Sequence, residues 1–119
     1  MTMAAEVTIY HNPRCSKSRQ TLKLLEQQKI QPQIIKYLDT PPNAETLNAL
    51  LDMLGLDPRQ LMRQKETEYN ALQLDNPELT REQLIQAMIE NPRLIERPIV
   101  VNNGKAAIGR PPEQILDIL

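Results

Sequence analysis

One cysteine, Cys15, and one histidine, His11, are the only residues of their kinds, and both fall in the segment Ile9–Arg19. A thiol attacks as its thiolate, and a free cysteine, with a reference pKa of about 8.5, is mostly protonated at neutral pH. A nucleophilic Cys15 therefore needs surroundings that favour the anion, and the sequence offers three. A helix starting just after Cys15 would aim unpaired backbone N–H groups at the sulfur. Arg14, Lys17, Arg19 and Lys23 lie close by, with no acidic residue from Val7 to Leu25. Hydroxyls are also near: Ser18 can donate its O–H to the sulfur if the helix begins at about Ser16, or else is an ordinary polar residue of the first turn. His11 can orient the loop through a ring nitrogen or help hold the charge of the site; a purely structural histidine is the competing reading. For Cys15 the rival is a small buried hydrophobe, but a strand-to-helix turn among cations favours the reactive reading.

With a single cysteine there is no internal disulfide, no Cys-x-x-Cys pair and no multi-thiolate zinc site, and one histidine excludes a His-rich metal cluster. The spacing from Cys15 to Arg19 is too short for the phosphate cradle of tyrosine phosphatases. Any chemistry at Cys15 is that of a lone thiol.

The elements that must position this thiol can be read from the pattern. Val7-Thr8-Ile9-Tyr10 reads as a buried strand that stops at His11-Asn12-Pro13, and Ser16 to Gln28 reads as a helix carrying Leu22, Leu24 and Leu25. Ile34 to Leu38 reads as a second strand. Asn43 caps a helix with Leu47, Leu50, Leu51 and Leu54 at i, i+3, i+4 and i+7, ended by Gly55. Asp57-Pro58 opens a shorter helix expected to reach about Gln64. Glu66 to Pro77 reads as a short helix within a loop, and Thr80 to Gln83 has capping-box spacing before a helix with Leu84, Ile85, Met88 and Ile89. The two Met62 and Met88 positions read as core filling. Ile99–Val101 and Ala106–Ile108 flank Asn103-Gly104, a hairpin signal, and Pro111 to Leu119 reads as a closing helix.

The 119 residues suit one domain with an aliphatic core, since Trp and Phe are absent and Tyr occurs three times. The order β-α-β, helices, β-β-α predicts an α/β fold with a mixed sheet of thioredoxin-like kind, spanning residues 1–119, with a helical insertion at about 43–91 between its halves. A net charge of −1 argues against nucleic-acid coating. No apolar run approaches a membrane span, and Met1–Ala5 lacks the pattern of a leader, so a cytoplasmic protein is expected.

The loop Ile9–Arg19 resembles the active-site loop of the glutaredoxin-dependent arsenate reductases. The likeness continues, in family order, through Tyr37-Leu38-Asp39-Thr40-Pro41-Pro42, Leu61-Met62-Arg63, Ile95-Glu96-Arg97-Pro98-Ile99-Val100 and Gly109-Arg110-Pro111-Pro112. The resemblance implies that Cys15 is the nucleophile and that Arg63, Arg97 and Arg110 bind the anion, for which forked guanidinium donors suit a tetrahedral oxyanion. It also implies a cis bond at Arg97-Pro98 facing the cysteine. It further implies arsenate as substrate, glutathione as co-substrate, glutaredoxin as partner, and no metal or tightly bound organic cofactor.

Two alternatives accompany this reading. One is a regulator related to Spx that binds RNA polymerase, although such regulators commonly carry a Cys-x-x-Cys switch and Ser18 occupies the fourth position here, where the second cysteine would stand. The other is a thiol enzyme acting on another oxyanion or on glutathione mixed disulfides. Ser16-Lys17 are bulkier than the small residue often found after the cysteine, and some family members extend well beyond the equivalent of Leu119.

Overall fold

The β-branched and aromatic run at the start of the chain forms β1 (Thr8–His11), and the polar, helix-favouring stretch after Cys15 forms α1 (Ser16–Gln27). The computed structural model describes residues 7–119, so the reading of Met1–Ala5 lies outside the described residues. Two compact units are distinguished: residues 7–40 with 97–119, and residues 41–96.

The first unit continues with β2 (Gln33–Lys36), β3 (Ile99–Asn102) and β4 (Lys105–Ile108), and closes with a 3₁₀ helix at Pro112–Ile118. The described strands make a four-stranded sheet in the order β2-β1-β3-β4. β1 runs parallel to β2, from Thr8 beside Gln33 to His11 beside Lys36, whereas β1–β3 and β3–β4 are antiparallel. A parallel neighbour demands a crossover, which α1 supplies. The antiparallel β3–β4 pair needs only Asn103-Gly104, with φ of +56° and +76°, the paired left-handed conformation of a type I′ hairpin turn. Val7, Ile9, Leu25, Val100 and Ile115 form the core of this unit.

β2 ends at Lys36, earlier than the Ile34–Leu38 run predicts. The Lys36 carbonyl accepts from both Asp39 N (3.0 Å) and Thr40 N (2.9 Å), so the chain turns there and Tyr37 is buried from within the turn.

The second unit holds α2 (Ala44–Leu54), α3 (Pro58–Leu61), α4 (Thr67–Ala71) and α5 (Arg81–Glu90), followed by a 3₁₀ turn at Pro92–Leu94. Asn43 Oδ1 accepts from Thr46 N at 2.8 Å, and Thr80 and Gln83 form a reciprocal capping box. Leu47, Leu50, Leu51, Leu61, Leu84, Met88 and Leu94 are buried. α3 stops at Leu61 rather than near Gln64, because the next residues join an extended contact instead of a further turn. Met62 pairs antiparallel with Ile95, Arg63 N donates to Leu94 O (2.7 Å), and Glu96 N donates to Leu61 O (2.8 Å).

Candidate active site

Asn12-Pro13-Arg14-Cys15 is a tight turn that carries the chain from β1 into α1. Cys15 N donates to Asn12 O (3.0 Å), and Asn12 Oδ1 accepts from Arg14 N (3.0 Å), a side-chain turn that explains the asparagine before the proline. Arg19 Nη1 reaches back to Pro13 O at 2.9 Å. Cys15 thereby becomes the N-cap of α1, with extended backbone (φ −96°, ψ 125°) and its carbonyl accepting from Arg19 N. Cys15 thus stands at the helix end where unpaired N–H groups concentrate positive potential, although its side chain accepts no capping hydrogen bond.

Arg110 supplies a second positive partner: its Nη2 lies 3.7 Å from Cys15 Sγ, and its Nε donates to Arg97 O at 2.9 Å. Arg110 thus links the Cys15 sulfur to the backbone carbonyl of Arg97, within one unit and from segments far apart in sequence. The Arg97-Pro98 bond is cis, and so is Arg110-Pro111. Gly109 makes this approach possible. A Cβ there would collide with Thr21 Oγ1 of α1 and lie 2.9 Å from Pro98 Cγ, so only glycine lets the strand end pack this closely. Gly109 N also donates to Pro98 O at 2.9 Å. At the sequence level Gly109 enters only as part of the Gly109-Arg110-Pro111-Pro112 likeness, with no packing role, and Thr21 is not singled out; a further signal is that the chain holds only three glycines, one of them here.

Ser18 does not serve the sulfur. It is fully buried, and its Oγ bonds His11 Nδ1 (2.7 Å) and accepts from Asn12 N (3.0 Å). The reason is its position on the face of α1 that meets the end of β1, where the Asn12 amide would otherwise lack a partner. His11 is buried too. Burial chiefly, then the charges of Lys36 and Arg19, push its pKa below the ordinary 6.5, so it is neutral at neutral pH. His11 and Ser18 therefore brace the loop.

Arg63 lies in the other unit. Its Nη1 pairs with Glu66 Oε2 at 2.7 Å and its Nε approaches Glu96 Oε1 at 3.8 Å. Glu66 is shared with Arg93 (3.1 Å), which also reaches Glu68 (3.8 Å). Among the described residues, no three His, Cys, Asp or Glu gather as for a metal ion, and no helix is long and apolar enough to cross a membrane.

A mixed sheet ordered β2-β1-β3-β4, with a cysteine capping the helix after its central strand, defines a thioredoxin-like thiol protein. More narrowly, the chain belongs to the ArsC family, whose model matches residues 10–118. It is 58% identical to the uncharacterized protein YfgD of Escherichia coli K12, over 98% of this chain and 99% of that one. It is 52% identical to the arsenate reductase of Haemophilus influenzae, over 95% of this chain and 98% of that one. Among solved structures it is similar to the arsenate reductase from Vibrio cholerae, with a TM-score of 0.95 and 57% identity, covering 98% of this chain and 100% of that one.

Proposed function

We propose that this protein reduces arsenate to arsenite, with Cys15 as nucleophile and with glutathione and glutaredoxin supplying the electrons. The observation that carries the reading is the Arg110 guanidinium 3.7 Å from the sulfur of the N-cap cysteine, in a chain more than half identical to a named arsenate reductase. In this mechanism the Cys15 thiolate attacks arsenic(V), an S–As bond forms, and one arsenic oxygen leaves as water. Arg110 and Arg97 hold the remaining oxygens, with Arg63 as the third arginine of the set. Opposed to a tetrahedral anion, forked donors stabilise the charge that the attack rearranges.

A glutathione thiol then adds to arsenic with loss of a second water. Attack by an external thiol on the glutathione sulfur leaves two electrons on arsenic, and hydrolysis releases arsenite and restores Cys15. The single-cysteine count supports this external supply, since the chain holds no second thiol to close a disulfide with Cys15. Dependence on glutathione places the reaction in the cytoplasm. His11, Ser18 and Pro98 are positioning groups in this reading, and neither a metal nor a tightly bound cofactor takes part.

The test couples NADPH oxidation, through glutathione reductase, glutathione and glutaredoxin, to added arsenate. Arsenate-dependent oxidation is expected with the protein and lost in Cys15→Ser, whose fold is checked by circular dichroism. Equal signals from the two sink the proposal. Co-purification with RNA polymerase and no turnover would favour the regulator reading instead.

A further inference from the structure

The parallel strands β1 and β2 end side by side, with His11 paired to Lys36, and the chain leaves each in a tight turn. Beyond those ends lies a concavity lined by Asn12, Pro13, Arg14, Lys36, Leu38 and Asp39, together with the buried His11. The carboxyl ends of parallel strands are where α/β sheets commonly hold ligands. Two cations and one carboxylate face this space. Among the described residues, none of the Arg14, Lys36 and Asp39 side chains has an ion-pair partner. The turn after β2 fixes Asp39 relative to Lys36 through the Asp39 N to Lys36 O hydrogen bond of 3.0 Å.

Unpaired charges of both signs around one hollow match a zwitterion rather than a simple anion. The lining is also within reach of the thiol. The Cys15 N to Asn12 O bond closes a four-residue turn, which keeps the Asn12 and Cys15 Cα atoms within about 7 Å. The γ-glutamyl arm of glutathione, comparable to two extended residues, also spans about 7 Å.

We propose that this concavity is a subsite for the γ-glutamyl end of glutathione, with its α-carboxylate on Arg14 and Lys36 and its ammonium on Asp39. This rests on the glutathione-coupled reading above and assigns the place where the co-substrate is recognised. Lys36 is a positioning group that acts through the bound peptide.

The test uses mixed-disulfide formation on the whole chain and requires no arsenate. The Cys15 thiolate attacks glutathione disulfide, the reagent's S–S bond breaks as Cys15–S–SG forms, and one glutathione leaves as thiolate. The rate is compared with that of cysteinylglycine disulfide, which lacks the γ-glutamyl arm. Lys36→Ala should lower the ratio of the two rates about five-fold and Asp39→Asn about three-fold, as exposed charge contacts allow, while Lys36→Arg retains it. A ratio unchanged in either loss variant, or no reaction with glutathione disulfide, overturns the subsite. Selective loss of the ratio in a protein that never turns over arsenate would keep the subsite and reject the reductase reading; arsenate turnover with unchanged ratios would do the reverse.

Discussion

The two units treat their cations in opposite ways. In residues 41–96, Arg63, Arg81 and Arg93 each meet a carboxylate at 3.2 Å or less, through Glu66 and Asp52. Around the thiol, the stretch from Val7 to Leu25 holds four cations and no acidic residue, and Arg110 adds its guanidinium beside the sulfur. Matched pairs on a surface contribute little energy each and leave little field behind. Clustered cations repel one another, a small destabilisation that creates positive potential where an anion must bind or form. The difference teaches that Arg81 and Arg93 are spent on neighbouring carboxylates, whereas the cations around the thiol leave a positive field there; Arg63, paired with Glu66, would have to release that carboxylate to take the anion-binding role proposed for it.

The contrast is broken most directly at Arg110. Arg110→Ala should lower kcat/KM for arsenate about 100-fold, the scale for losing a charged donor to a transition state. Arg93→Ala, which removes a cation matched by Glu66 and Glu68, should stay within about two-fold of the parent. Comparable losses in the coupled assay would erase the distinction between the units.

A second substitution asks whether the placement of Arg110 depends on backbone packing. Gly109→Ala should destabilise the fold by about 2 kcal/mol, since its Cβ must displace Thr21 or Pro98 in a close-packed site. The urea midpoint measures this, and a midpoint equal to the parent's would show that the strand end has room to shift.

The smallest effect expected is that of His11. Because its folded pKa is lowered, its contribution is fully present above about pH 6.5, where the unfolded histidine is neutral as well. As pH falls below that value, the unfolded chain takes up a proton that the folded one resists, and stability declines. Urea midpoints at pH 7.5 and 5.5 should therefore differ more in the parent than in His11→Gln, which cannot titrate. Equal declines would mean that burial of His11 carries no such penalty.

Much of the fold was legible before any coordinates. Asn43, Gly55, Thr80 and Asn103-Gly104 are local signals, and each sits where its own backbone chemistry requires it. Met62 and Met88 are buried, as their patterns suggested. The element ends that differ from the sequence pattern have two origins, one in partners remote in sequence and one in a local turn. Leu61 ends α3 because Leu94, Ile95 and Glu96 offer backbone pairing to residues 61–63, and Lys36 ends β2 because its carbonyl is taken by the turn at Asp39 and Thr40.

The sequence by itself determined that this protein has one thiol, that the thiol stands among cations at a strand-to-helix junction, and that no internal partner can form a disulfide with it. Those are properties of composition and of short spans, where chemistry depends on the nearest few residues. Only the tertiary structure decided that Ser18 braces His11 and Asn12 instead of meeting the sulfur, that Arg110 comes within 3.7 Å of it, and that Gly109 admits the approach. The physical reason is distance along the chain. Arg110 lies 95 residues from Cys15, and no local preference of the backbone can bring such a pair together; the folding of the sheet around its core does so.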